Sequence, residues 1–231
     1  MSEAARWGSR SPAKTPVRTR VWESLVRDGV NVGPAFDRIP NFVGADMAAK
    51  RLSELPAWRQ ARDVKCNPDP PQIPLRLRAL YDGKLLFSPA PYLTRGFPYL
   101  RIDPAKLAEA GVDFCVVGGV AAARAGGRTG KGAGFADLEQ GVFRELGLVD
   151  ESTPIATTVH SSQVVEAQAV VMESHDSALH YIAAEPGLIE TRTTHPRPRG
   201  VDWSKVRPDQ FADIPFLSDL RSALLARERG G

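Results

Sequence analysis

The residues best able to do chemistry lie in one run, Gly126-Gly127-Arg128-Thr129-Gly130-Lys131-Gly132-Ala133-Gly134-Phe135-Ala136-Asp137. Gly130, Gly132 and Gly134 alternate, and glycine lets backbone N–H groups crowd close to a ligand. The run leads into a helix-like segment whose N-terminus adds partial positive charge. Arg128 and Lys131 add full charges, so the natural guest is an oligophosphate. A carboxylate at Asp137 suits such a place when a cation lies between it and the phosphate oxygens, the usual way Mg²⁺ is held. Neither common nucleotide motif is present. A P-loop needs Gly, four residues, then Gly-Lys-Ser/Thr, but Ala125 and Gly132 occupy the first and last positions. A dinucleotide fingerprint needs Gly-x-Gly-x-x-Gly, whereas these glycines alternate in mid-chain. On its own, the loop reads either as a phosphate site or as a plain flexible turn.

Alternating helical and apolar segments must position this loop. A helix is expected from about Pro16, with Val17, Val21, Trp22 and Leu25 on one side and a break at 29–34. Helical spacing covers 44–62 through Met47, Ala48, Leu52, Leu55 and Trp58, with a kink or restart at Pro56. A short strand at 63–67, a proline-rich loop at 68–74, a helix at 75–81 and a buried strand at 84–88 follow. A helix at 104–110 precedes the clearest strand, 112–117. The glycine loop then opens a helix at 136–146. Strands at 154–159 and 179–183, a polar stretch at 193–213 and a last helix at 214–227 complete the chain. This alternation predicts an α/β fold, a mainly parallel sheet with helices on both faces.

The loop resembles that of the 5-formyltetrahydrofolate cyclo-ligase (methenyltetrahydrofolate synthetase) family, which has the form Arg-x-Gly-x-Gly-x-Gly, two aromatics, then Asp. Residues 128–137 match except at Ala136, where the second aromatic is lost. Lys14-Thr-Pro-Val-Arg18-Thr-Arg20-Val-Trp22 resembles the family's N-terminal basic helix. Gly83-Lys84 resembles its central strand entry. Thr158 to Val165 and His175-Asp176 resemble its C-terminal half. The resemblance implies a fold like that of ribose-phosphate isomerases and CoA transferases, with ATP and Mg²⁺ as cofactors. Lys14 and Arg18 would contact ATP phosphates. Arg128, Thr129, Gly130, Lys131, Gly132, Ala133, Gly134 and Phe135 would wrap the nucleotide and part of a reduced folate. Asp137 and Asp176 would hold Mg²⁺. The implied reaction converts 5-formyltetrahydrofolate and ATP to 5,10-methenyltetrahydrofolate, ADP and phosphate. It needs alignment and charge neutralisation, which fall to Arg128 and Lys131.

Two departures point to a divergent paralogue branch. A pterin-gripping Glu is usual upstream of the Gly-Lys pair, and Asp69 falls near that place. Residues 39–44 and 67–72 have the branch's character. Such a paralogue would lack the cyclo-ligase reaction and phosphorylate another amide or carboxylate, with thiamine metabolism as one context. Asp69, Phe135 and His160 are the candidate substrate contacts. Each has a structural alternative: Asp69 shapes its proline loop, His160 and Gln163 stabilise a turn, Asp176 caps one, and Lys14 and Arg18 form an exposed helix face.

At 231 residues with net charge +3, the chain fits one domain, taken as 14–231 after a mobile segment at 1–13. Cys66 and Cys115 provide neither a disulfide framework nor zinc spacing, which suits a reducing cytoplasm. No apolar run reaches the ~20 residues needed to span a bilayer. Basic residues gather at both ends, Arg6, Arg10, Lys14, Arg18 and Arg20, then Arg192, Arg197, Arg199, Lys205 and Arg207. They leave RNA binding as a third reading, although the aromatic strand motifs of the common RNA-recognition fold are absent.

Overall fold

The computed structural model describes residues 11–89 and 111–230. The expected helix at 104–110 and most of the N-terminal segment lie outside them. Helices α1 (Thr15–Arg27), α2 (Ala45–Ser53) and α3 (Pro56–Gln60) lead into strand β1 (Asp63–Cys66), helix α4 (Ile73–Tyr81) and strand β2 (Leu85–Phe87). Then come β3 (Phe114–Val116), β4 (Ala121–Ala123), β5 (Arg128–Thr129), α5 (Phe135–Glu145), β6 (Ile155–Thr158), β7 (Val164–Val165), β8 (Tyr181–Ala183), β9 (Leu188–Glu190), α6 (Pro208–Asp213) and α7 (Phe216–Gly230).

Six strands form the main sheet in the order β2-β1-β3-β6-β8-β9, parallel except for the antiparallel pair β8–β9. Its two faces follow from the pleat, which turns alternate side chains to opposite sides. Val64, Phe114, Val116, Ala156 and Ala183 pack against Leu52, Trp58, Leu75 and Ala79 of α2, α3 and α4. Cys115, Val117, Ile155 and Ile182 face the other way, toward Phe143 of α5 and Leu148. The α/β expectation of a mainly parallel sheet with helices on both faces therefore holds.

Three strands form a second sheet in the order β5-β4-β7. Val17, Val21, Trp22 and Leu25 of α1 pack on its Ala121 and Ala123. At the hairpin before β5, Gly126 has φ +95°, and a Cβ there would lie 2.7–2.8 Å from Thr193 and the Leu179 carbonyl. A side chain at this position has no room, which fixes how β5 enters the loop.

Several elements differ from expectation. The 44–62 helix restarts at Pro56 as expected, giving α2 and α3, but Met47 is exposed instead of packed. The 84–88 strand exists, but it is the sheet edge, and Leu85 is exposed. Strands β4, β5, β7 and β9 and helix α6 were not anticipated. The polar stretch at 193–213 is not simply solvated, because Arg197 Nη1 donates to the carbonyls of Asp150 (2.7 Å) and Thr153 (2.9 Å). Cys66 and Cys115 are free and buried, and burial pushes the Cys66 thiol up to about 12.

Phe114 is fully buried, edge-on to Trp58 and stacked on Tyr181. Phe114→Ala should lower stability by about 3–5 kcal/mol in urea unfolding. Leu80→Gln, on the exposed side of α4, should leave it within about 0.5 kcal/mol.

Candidate functional site

The main sheet reverses its direction of growth at β1, whose neighbours are β2 on one side and β3 on the other. In open α/β sheets the crevice at the carboxyl ends of such strands is where ligands bind. The chain leaving β1 carries Asn67 and Asp69, and the chain leaving β3 carries Gly118. Asp69 lies over Gly118 so closely that a Cβ there would sit 2.6 Å from its Oδ2. Burial pushes the Asp69 carboxyl up, opposed by the charge of Lys131, a hydrogen bond from Asn67, and the charges of Lys65 and Arg76. Asp69 and the exposed Lys131 of the glycine loop thus face the same crevice.

The loop is built by the small sheet. Arg128 and Thr129 pair with Ala122 and Ala121 on β4 and are buried. The backbone then passes Gly132 and Gly134, with φ +117° and +72°, and Gly134 caps α5 in the left-handed conformation. Asp137 follows in the first turn of α5, where the helix dipole favours an anion.

Asp137 is the junction of the site. Its Oδ1 accepts from Arg128 Nη2 at 2.5 Å and from the Ser177 amide at 3.0 Å. Burial alone would raise its pKa. The Arg128 guanidinium, the Ser177 amide and Lys14 outweigh burial and hold it below the ordinary carboxylate range. Asp176, next to Ser177, pairs with Lys14, and both are buried. Asp176 Oδ2 also accepts from the Glu173 amide at 2.6 Å. One turn along α1 from Lys14, Arg18 Nε donates to Thr129 Oγ1 (3.1 Å) and the Gly130 carbonyl (2.8 Å). Lys14 and Arg18 are therefore buried against the loop and are not an exposed helix face.

The structure brings Lys14, Arg18, Arg128, Thr129, Gly130, Asp137 and Asp176 into one corner, with Lys131 and Asp69 near each other beside it, whereas Phe135 packs on the apolar cluster of Val142, Val201, Ile214 and Leu217. It places His160 differently. His160 caps the turn at Ser161–Gln163, its Nδ1 lies 3.1 Å from Ser162 Oγ, and its ring meets Phe42 edge-on. Gln163 is buried and donates to the carbonyls of Gly119 and Val120. Two residues escaped the sequence reading: Lys65 on β1 and Glu139 on α5, which form a buried ion pair beneath the loop. The available signal was a lysine between Val64 and Cys66 in an apolar strand, since a buried charge needs a partner.

The donor set fits Mg²⁺ with an oligophosphate. Among the described residues there is no cluster of three or more His, Cys, Asp or Glu side chains that could hold a metal alone. Asp137 and Asp176 supply two adjacent carboxylates, and Mg²⁺ typically takes one or two together with phosphate oxygens. Arg128 Nε, Ser177 Oγ and His175 Nδ1 are buried beside them without a hydrogen-bond partner. At the surface of the corner Lys131 is exposed and Gly130 and Gly134 are half-buried, while Gly132 and Ala133 are buried. Behind it, Ser177, Gln140 and Ile155 line a cavity of about 20 Å³, enough for a water molecule and far too small for a nucleotide.

Residues 97–185 match the model of the 5-formyltetrahydrofolate cyclo-ligase family, a span that contains the whole glycine loop, Asp137 and Asp176. The chain is 35% identical over 236 residues to the mouse methenyltetrahydrofolate synthase domain-containing protein, covering 90% of this chain and 63% of the relative. It is 33% identical over 238 residues to the cattle protein of that name, covering 90% and 62%. The chain thus spans less than two thirds of the length of these relatives. The fold is similar to the solution structure of Aquifex aeolicus 5,10-methenyltetrahydrofolate synthetase, with TM-score 0.51 at 18% identity, covering 79% of this chain and 95% of that one.

Asp137→Asn leaves Arg128 buried beside a neutral group, and breaking a buried pair in this way costs about 3–5 kcal/mol. The lowered pKa fixes the sign of the pH effect. Stabilisation by the ionised carboxylate is complete above the unfolded value, near pH 4, and is lost as pH falls through the depressed folded value. Urea titrations from neutral to acid pH should therefore show wild-type stability falling toward that of the Asn variant only below about pH 4.

Proposed function

We propose, from the premise that this chain carries a 5-formyltetrahydrofolate cyclo-ligase-type domain, that it is a Mg²⁺- and ATP-dependent ligase acting on a reduced folate or a close analogue. The observation that carries this reading is the convergence of Lys14, Arg18, Arg128, Asp137 and Asp176 on one glycine loop. The whole domain, 14–231, would act as one unit on a small molecule in the cytoplasm.

In the free protein the carboxylates are already paired with cations of the site, Asp137 with Arg128 and Asp176 with Lys14. Binding is then an exchange of partners. Lys14 and Arg128 turn their charge toward phosphate oxygens, while Asp137 and Asp176 turn theirs toward the metal. Such an exchange avoids leaving a bare charge in a buried place at any stage. Amides of 130–134, freed by glycine at positive φ, add neutral donors. Lys131, exposed and near Asp69, is free to approach the oxygen that receives charge as the phosphoryl group moves. Bound MgATP supplies that phosphoryl group, which activates the formyl oxygen so that N10 can close the ring and release phosphate. Asp69, held above Gly118 and near Lys131, is the proposed contact for the folate ring.

A second reading follows from two features of this branch. The curated relatives are described only as containing the synthase domain, and Ala136 stands where a second aromatic is usual. In that reading the nucleotide chemistry remains and the acceptor is a different amide or carboxylate.

Calorimetry should show MgATP binding that EDTA abolishes. Turnover of 5-formyltetrahydrofolate, followed by formation of 5,10-methenyltetrahydrofolate, should fall about 10²-fold in Lys131→Ala and disappear in Asp137→Ala. MgATP binding without folate turnover would select the second reading. Absence of MgATP binding would defeat both.

A further inference from the structure

Lys65 and Glu139 form a buried charged pair for which the proposed reaction has no direct use. On β1, Val64 and Cys66 face the α2–α4 layer, so the pleat turns Lys65 toward α5. Lys65 is fully buried and Glu139 nearly so. The Lys65 ammonium pairs with Glu139 Oε2 and donates to Asn67 Oδ1, at the carboxyl end of β1. Glu139 stands two residues beyond Asp137, in the early part of the helix that Gly134 caps.

Taking two charges out of water is expensive, and well-packed apolar side chains of similar volume stabilise a fold equally well or better. What an ion pair adds is direction. Apolar contacts between a helix and a sheet tolerate small rotations and slides, whereas an ammonium shared between two fixed acceptors does not. The start of α5 is held on one side by Asp137, through Arg128 of β5 and the Ser177 amide. On the other side it is held by Glu139, through Lys65 of β1. These tethers reach different sheets, so together they fix the rotation of the first helical turns across the crevice.

We propose that Lys65 and Glu139 are positioning residues of the glycine-loop site, setting the orientation of Asp137 and of the loop amides for a Mg²⁺-bound triphosphate. This rests on the functional reading above only for the identity of the ligand; the tether itself is a property of the free protein.

The test compares wild type, Lys65→Met, Lys65→Met/Glu139→Gln and the double variant Lys65→Met/Glu139→Leu by urea unfolding, amide hydrogen exchange and MgATP calorimetry. Lys65→Met should lower the urea midpoint, and the double variant should recover it. Even so, in the double variant amides 130–137 should exchange at least tenfold faster while β3 and β6 keep their protection. MgATP affinity should fall about tenfold or more, as is typical when a group that orients a ligand-holding residue is lost. Should the double variant fold poorly, Lys65→Met/Glu139→Gln decides the matter: it removes both charges and the ammonium bridge while keeping the side-chain shapes, and faster exchange at 130–137 with an intact core is the expected result. Wild-type loop exchange in either well-folded variant would overturn the proposal. If wild type binds no MgATP, the functional reading fails, and the exchange data still decide whether the tether exists.

Discussion

Asp137 accepts two hydrogen bonds that join three parts of the molecule: Arg128 from the small sheet, the Ser177 amide from the chain before β8, and its own position on α5. Arg128 in turn donates to the Gly118 carbonyl at 3.0 Å, beyond the end of β3. Through this single carboxylate, the loop, the main sheet and the segment bearing Asp176 share one corner. A charge so buried persists only because its partners outweigh the loss of water. Each group that holds Asp137 is therefore also a group that shapes the place where a triphosphate would sit.

Self-neutralisation gives the site a particular economy. Every buried cation in the corner has an anionic or carbonyl partner in the free protein, so the fold is not strained by like charges while it waits for ligand. A metal with its phosphate ligand brings both signs at once and can satisfy both halves of each pair. A bare anion or a bare cation would satisfy one half and strand the other. The corner should therefore discriminate for the complex over its parts, which is the behaviour the proposed function requires.

Much of this was legible in the residues. The glycine spacing, the cations at 128 and 131 and the carboxylate at 137 belong to one short segment, and local sequence shows local chemistry. The α/β alternation was also visible, because Val112 to Val117 is apolar but for Asp113 and Ile155 to Thr158 is rich in β-branched residues. Strands β4, β5 and β7 were not, since Ala121–Ala123 has no β-branched residue and β5 is two residues long inside the loop itself. Leu85 looked like a core residue because its alternation is apolar, yet edge position is decided by topology and not by composition. The Lys65–Glu139 pair was only half legible for a related reason: Lys65 stands between apolar strand residues, but its partner lies 74 positions away (139 − 65) and alone reads as an ordinary surface charge. His160 shows the converse: a histidine in a suggestive motif whose partners are the neighbouring Ser162, Glu185 and the ring of Phe42.

The central claim is that the backbone of this loop, with its flanking charges, clasps a metal-bound triphosphate. Amide NMR of the uniformly ¹⁵N-labelled protein during titration with a non-hydrolysable MgATP analogue tests it most directly. The account predicts that the resonances of Gly130, Gly132, Gly134 and Ser177 shift together along one saturable curve, and that the shifts reverse on removal of Mg²⁺. Saturable shifts confined to other parts of the chain, or none at these four amides, would contradict it.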